Sequence, residues 1–138
     1  MYSYIHFVQY INMACIVDPD FKYFHTQNSF SQRKRLSERI KVLYPDKVPV
    51  IVTRGSLNNT PRIVKHKFLS PNDITLAKFM VEIRKHFVDD VNAATAIFCF
   101  VRGSVLPPVS ISMQQLYITN VDSDGFLYIT YSGENTFG

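Results

Sequence analysis

"KHKFLSPNDITLAKFMVEIRKHF", residues 65–87, joins two periodicities at a proline. Its first part belongs to RIVKHKFLS (62–70), which alternates like a strand and places Lys65, Lys67 and Leu69 on one face. After Pro71-Asn72-Asp73 the pattern changes. Leu76, Phe79, Met80, Ile83 and Phe87 recur at i, i+3, i+4, i+7 and i+11, the apolar stripe of an amphipathic helix. Asn72 or Asp73 is the expected cap, and Arg84, Lys85 and His86 fall in the last turn, where cations suit the helix dipole. The stretch therefore predicts a strand that feeds a packed helix.

Upstream, KVPVIVTR (47–54) is a β-branched strand and GSLNNTP (55–61) a turn, so the two strands make a hairpin. Before them, NSFSQRKRLSERIKVLYP (28–45) reads as a helix. Leu36, Ile40 and Leu43 form its apolar face, Ser29 or Ser31 its cap, and Pro45 its end. Arg33, Lys34, Arg35, Arg39 and Lys41 cover the remaining faces, either as a solvated basic surface or as one that meets acidic ligands.

Downstream, TAIFCFV (95–101) is a continuous apolar run, read as a strand buried on both faces. SISMQQLY (110–117) is a short helix after Pro107-Pro108, and Asp124-Gly125 turns into a last strand, Phe126 to Tyr131. The order is helix, β, β, α, β, short helix, β. That is the ββαββ order of a β-grasp: an α+β domain with a four-stranded mixed sheet, preceded by an N-terminal helical arm.

The 138 residues suit one domain, and 46% hydrophobic with 19% charged residues suits a globular one. A net charge of +4 favours acidic peptides, anionic lipid or nucleic acid as partners. Cys15 and Cys99 form no CxxC, which argues against a metal site or a disulfide framework and for a reducing, cytosolic setting. His6, His25, His66 and His86 sit in no nucleophile–base pattern, so no catalytic residue, metal or cofactor is expected.

MYSYIHFVQYINMACIV (1–17) carries no Lys or Arg, is shorter than the ~20 residues of a bilayer span, and lacks the features of a signal peptide. Its apolar residues fit a strand face and a helix face alike. Residues 1–22 are read as an apolar extension, loosely ordered or docked, with Asp18-Pro19-Asp20 as a hinge; a membrane anchor is the weaker reading.

The segments QRKRLSERI, KVPVIV, KHKFLSPNDITLAKFMVEIRKHF, AIFCFV, LPP and DGFLYITYSGENTFG together resemble the autophagy ubiquitin-like modifiers, the family of GABARAP and the light-chain-three proteins. The resemblance covers about Phe24 to Gly138; the extension lies outside it. It implies a ubiquitin-like domain over 23–138 with a flexible tail at 132–138. The Gly138 carboxylate would be activated by one enzyme, passed over cysteine enzymes and joined to phosphatidylethanolamine. The protein would be a substrate of activating and conjugating enzymes and of a processing and deconjugating cysteine protease. It would be cytoplasmic when free and on autophagosomal membranes when lipidated.

The resemblance also implies recruitment of cargo receptors through an aromatic-x-x-aliphatic peptide added to the hairpin's edge strand. The aromatic pocket then falls on Leu36, Ile40, Pro49, Ile51, Lys67, Leu69 and Phe126. The aliphatic pocket falls on Phe68, Ser70, Pro71, Ile74, Phe79, Glu82 and Ile83. Lys47, Lys65, Lys67 and Arg84 would meet acids flanking the motif. Ser70 and Glu82 depart from the family's aliphatic residues. Both are expected to make the second pocket more polar, with Glu82 either swung outward or paired to Lys78 or His86 at helical spacing.

Two rival readings use the same residues. A nucleic-acid-binding domain would use QRKR and KHK, but the chain lacks a base-stacking signature, so no nucleic-acid partner is expected. A binding-only module would share the fold and never be conjugated; the terminal glycine argues against it.

Overall fold

The computed structural model describes residues 24, 27–55, 60–88 and 96–133. Among these the chain forms α1 (Phe30–Leu43), β1 (Lys47–Arg54), β2 (Lys67–Pro71), α2 (Leu76–Arg84), β3 (Phe98–Phe100), α3 (Met113–Asn120) and β4 (Leu127–Ser132). The strands make one sheet in the order β2-β1-β4-β3. β1 runs antiparallel to β2 and parallel to β4, and β3 runs antiparallel to β4. This is the mixed β-grasp sheet expected from the element order. The extension (1–22), the centre of the first turn (56–59) and residues 134–138, Gly138 among them, lie outside the described residues.

Local chemistry sets the helix ends. Ser29 caps α1 in a reciprocal box: its hydroxyl accepts from the Gln32 amide at 3.2 Å, and the Gln32 side chain accepts from the Ser29 amide at 2.8 Å. That geometry selects Ser29 over Ser31. Thr75, not Asn72 or Asp73, caps α2 by accepting from the Lys78 amide at 3.2 Å. The Asn72 backbone is engaged elsewhere, donating to Asp46 at 3.0 Å and accepting from Gln114 at 3.0 Å. Ser112 caps α3 in the same way as Thr75.

The sheet register sorts side chains onto two faces. Val48, Val50, Val52, Phe68, Leu127, Ile129 and Tyr131 point toward α2, where Leu76, Phe79 and Ile83 complete the larger core with Met113 and Leu116 of α3. Ile51 and Phe126 point the other way and pack with Ile40 of α1 and with Phe24; Leu36, Leu69 and Tyr128 edge this smaller cluster. The alternation is that of a sheet buried on both faces.

Five sequence expectations shift. The returning strand is shorter than 62–70. Val64 donates to His86 and Val88 to Arg62, so residues 62–64 lie against the turn after α2 and β2 starts only at Lys67. Phe87 is past the helix end; it reaches the core from that turn, its ring 5.3 Å from Tyr131. Leu43 is exposed, because α1 turns Leu36, Ser37 and Ile40 inward instead. Finally, the apolar run 95–101 supplies only the three-residue edge strand β3, and Ser132, assigned to the tail, belongs to β4.

The turn into β4 is tied to both flanking helices. The Ser37 hydroxyl donates to the Asp124 carbonyl, and the Tyr117 hydroxyl donates to the Gly125 carbonyl at 2.7 Å. Gly125 has φ +90°, and a Cβ there would meet Ser37 Oγ at 2.2 Å and Ser37 Cβ at 2.8 Å. Gly103 has a similar φ of +83° with nothing within 4 Å. The pair separates backbone strain from collision. Gly103→Ala is expected to cost about 1 kcal/mol, the backbone effect alone, and Gly125→Ala at least ~1–3 kcal/mol more from overpacking. Equilibrium denaturation of the two variants measures the difference.

Candidate functional site

β2 is an edge strand, so one side of its backbone faces away from the sheet. Its residues divide between two faces. Lys67 and Leu69 pair with Ile51 and Pro49 and share the α1 face; Phe68 and Ser70 pair with Val50 and Val48 and share the α2 face. An apolar region therefore lies on each side of the same strand.

On the α1 face, the residues expected for an aromatic pocket converge. Ile40, Ile51 and Phe126 form one cluster with Leu36 and Leu69 at its margin. Pro49 is buried beside them. The sequence reading missed the residue that closes the floor, Phe24. Its ring meets Phe126 edge-to-face at 5.2 Å and is 2% exposed. Lys67 Nζ lies 5.4 Å from the centre of that ring. Leu36 and Leu69 are only partly buried, whereas Ile40, Ile51 and Phe126 are fully covered. The missed signal was positional: Phe24 lies one helical turn before the Ser29 cap, and its carbonyl accepts from the Asn28 backbone at 3.1 Å.

On the α2 face, Phe68, Phe79 and Ile83 are buried and Ile74 packs against them. Phe68 sits edge-to-face with Phe79 at 5.5 Å and with His86 at 5.4 Å, and Lys65 Nζ stands 4.8 Å from its ring centre. Lys65 thus serves this face, while Lys67 serves the other.

Two expectations about this region are corrected. The Ser70 hydroxyl donates to the Pro71 carbonyl at 3.0 Å and is buried, so it adds no open polar group. Glu82 pairs with neither Lys78 nor His86. It accepts from Lys85 Nζ at 2.9 Å, three residues on, because Lys85 follows the last helical residue and folds back. The Glu82 side chain is 49% exposed, so this pair is a weak surface one. Lys47 opens β1 opposite Pro71, in the register set of the α1 face, and Arg84 closes α2.

The electrostatics follow from burial. The Glu82 carboxyl is held below its usual range by the bond from Lys85, then by His86 and Lys65 nearby. Lys65 and His86 are both pushed down, chiefly by burial. Burial lowers Lys67 to about 7. Cys99 is buried and its thiol is pushed up to about 12, which makes it a poor nucleophile.

Fold and strand order define a ubiquitin-like protein. Residues 32–138 match the family profile described as "Autophagy protein Atg8 ubiquitin like". The chain is 46% identical over 118 residues to an autophagy-related protein 8-like protein of Dictyostelium discoideum, covering 85% of this chain and 94% of that one. It is 47% identical over 115 residues to autophagy-related protein 8e of Arabidopsis thaliana, covering 83% and 92%. Among solved structures, Plasmodium falciparum Atg8 in complex with a Plasmodium falciparum Atg3 peptide matches with a TM-score of 0.72 and 29% identity, covering 87% of this chain and all of that one. The chain belongs to the Atg8 ubiquitin-like family of autophagy proteins.

The lowered Lys67 sets a pH dependence. In the unfolded chain this lysine titrates near 10.4, and in the fold at about 7. Between those values the unfolded state binds more protons, so this group makes stability rise with pH across the window; below pH 7 its full burden is present. Lys67→Met removes this contribution. The variant's stability, measured by denaturant unfolding from pH 7 to 9, is expected to rise less steeply than the wild type's, by at most ~1.4 kcal/mol per pH unit.

Proposed function

We propose that this protein is a conjugated modifier that recruits partners through β2. The carrying observation is the division of apolar surface across one edge strand. A peptide strand added there continues the side-chain alternation, so its residues i and i+3 point to opposite faces. An aromatic residue at i meets Leu36, Leu69 and Lys67, and an aliphatic residue at i+3 meets Phe68, Ile74, Phe79 and Ile83. The aromatic-x-x-aliphatic spacing is what two pockets on opposite faces require. Acids flanking the motif meet Lys47, Lys65, Lys67 and Arg84.

The lipid half of the proposal rests on family membership and on Gly138, to which the family profile match runs. Its carboxylate is joined as an amide to phosphatidylethanolamine by activating and conjugating enzymes, and a cysteine protease processes and releases it. The Atg3 peptide bound to the Plasmodium relative supports a conjugating-enzyme partner here too. Glycine suits a tail that threads narrow active sites, where a Cβ would clash. In this reading the protein is a substrate rather than a catalyst, cytoplasmic when free and on autophagosomal membranes when conjugated.

Two experiments test the halves separately. In a reconstituted conjugation reaction, deleting Gly138 is expected to abolish the lipid-linked form while the melting transition stays in place; continued lipidation of the deleted protein refutes the handle. For the groove, one acidic-flanked motif peptide and its Leu→Ala variant are titrated against wild type and Glu82→Leu. Glu82 holds a carboxylate on the rim that an incoming aliphatic residue would desolvate. The Leu→Ala penalty is therefore expected to be below tenfold in the wild type and several-fold larger in Glu82→Leu. An equal, large penalty in both shows that Glu82 does not shape the pocket.

A further inference from the structure

The groove sets a rule for whatever fills it. Its two apolar ends lie on opposite faces of β2, so an added strand reaches both only with large apolar residues an odd number of positions apart. The chain itself carries such a pair. Tyr2-Ser3-Tyr4-Ile5 places an aromatic and an aliphatic residue three apart. We propose that Tyr2–Ile5 docks as a strand on β2 of its own chain, with Tyr2 toward the α1 face and Ile5 toward the α2 face. This inference rests on the groove reading above.

The point of attachment supports docking within one chain. Phe24 packs on Phe126 at 5.2 Å, with Lys67 of β2 5.4 Å from its ring centre. The chain thus enters the described fold at the aromatic end of the groove. The segment between Ile5 and Phe24 is 6–23, a stretch whose full extension reaches at most ~65 Å. β2, five residues long, spans only about 17 Å. The tether is long enough to return and short enough to hold the motif at an effective concentration in the millimolar range.

Charge supports a weak, displaceable occupant. Residues 1–17 contain no Asp, Glu, Lys or Arg. The segment offers the groove apolar side chains and adds no cation beside Lys65, which a ligand's acids can approach. A bare motif from another protein competes poorly with a tethered one, whereas an acid-flanked motif gains contacts the tethered segment lacks. The extension thereby becomes a filter that favours acid-flanked partners.

The test uses three full-length proteins and one fluorescent acid-flanked aromatic-x-x-aliphatic peptide. Tyr2→Ala/Ile5→Ala is expected to bind it about two- to tenfold more tightly than wild type, the range for a tethered competitor with millimolar intrinsic affinity. Inserting one glycine between Ser3 and Tyr4 makes the spacing even, puts both side chains on one face, and is expected to match the double variant. Affinities within twofold of one another in all three proteins overturn the proposal while leaving the groove reading intact. No peptide binding to any of the three overturns the groove reading and this inference with it. Concentration-dependent dimers of the wild type that the double variant lacks assign the segment to a second copy, and wild-type binding to phosphatidylcholine vesicles that the double variant lacks assigns it to a bilayer. Either result overturns docking within one chain.

Discussion

A single carboxylate, Asp124, joins the helical arm to the centre of the sheet. It is fully buried and meets Arg33 Nε of α1 at 3.0 Å. It accepts from the Phe126 amide at 2.9 Å and from the Tyr128 hydroxyl, both at the start of β4. A buried ion is tolerated when it is paired and its lone pairs are used. All three partners here serve that end. Burial, together with the bond to Asp124, also holds the Tyr128 phenol far above its usual range, so that it remains a donor. Removing Arg33 alone would leave an uncompensated buried charge, a change that costs ~3–5 kcal/mol in comparable settings.

The rest of the α1 face depends on that junction. Asp124 fixes where α1 sits, and α1 brings Ile40 over Ile51 and Phe126. Those three residues support Phe24, and Leu36 and Leu69 form the margin that remains reachable. Apolar packing supplies most of the energy of such a cluster, but it is non-directional. The directional hydrogen bonds at Asp124 select one placement of the helix among many of similar buried area. On the α2 face backbone bonds place the helix instead: the Leu76 amide donates to Ile111 at 2.8 Å and the Ala77 amide to Val109 at 2.9 Å.

The element order was readable because each element carries its own signal: β-branched residues in 47–54, a helical stripe in 76–83, and a glycine turn before β4. What these signals could not show was position in the sheet. TAIFCFV looks like a central strand by its composition, yet β3 lies at the edge, since only strand order decides burial on two sides. Leu43 matched the helical stripe and is exposed, whereas Ser37, polar by type, is buried because the Asp124 carbonyl accepts from it at 2.5 Å. The sheet register sorts the residues that the resemblance named for the two pockets onto opposite faces of β2. The resemblance could not reveal that Phe24 packs under one of them or that Lys85 takes the Glu82 carboxylate, because the first depends on how the residue before α1 packs on the sheet and the second on the turn that ends α2.

The sheet also separates the two proposed activities in space. β2 covers β1 only from Lys47 to Ile51, while β4 covers it from Val50 to Arg54. The groove therefore borders the first half of β1. β4 continues past the second half, where the Gly55 amide donates to Tyr131 at 2.7 Å and the Gly133 amide donates to the Thr60 hydroxyl at 3.3 Å. Gly133 thus sits at that far end. The four positions from Ile51 to Gly55 amount to roughly 13 Å at the rise of a strand. In the proposed reading, a peptide that adds to β2 and the end of β4 therefore lie at different ends of the same central strand. Because β1 is hydrogen-bonded to both β2 and β4, the sheet holds these two ends at a fixed distance.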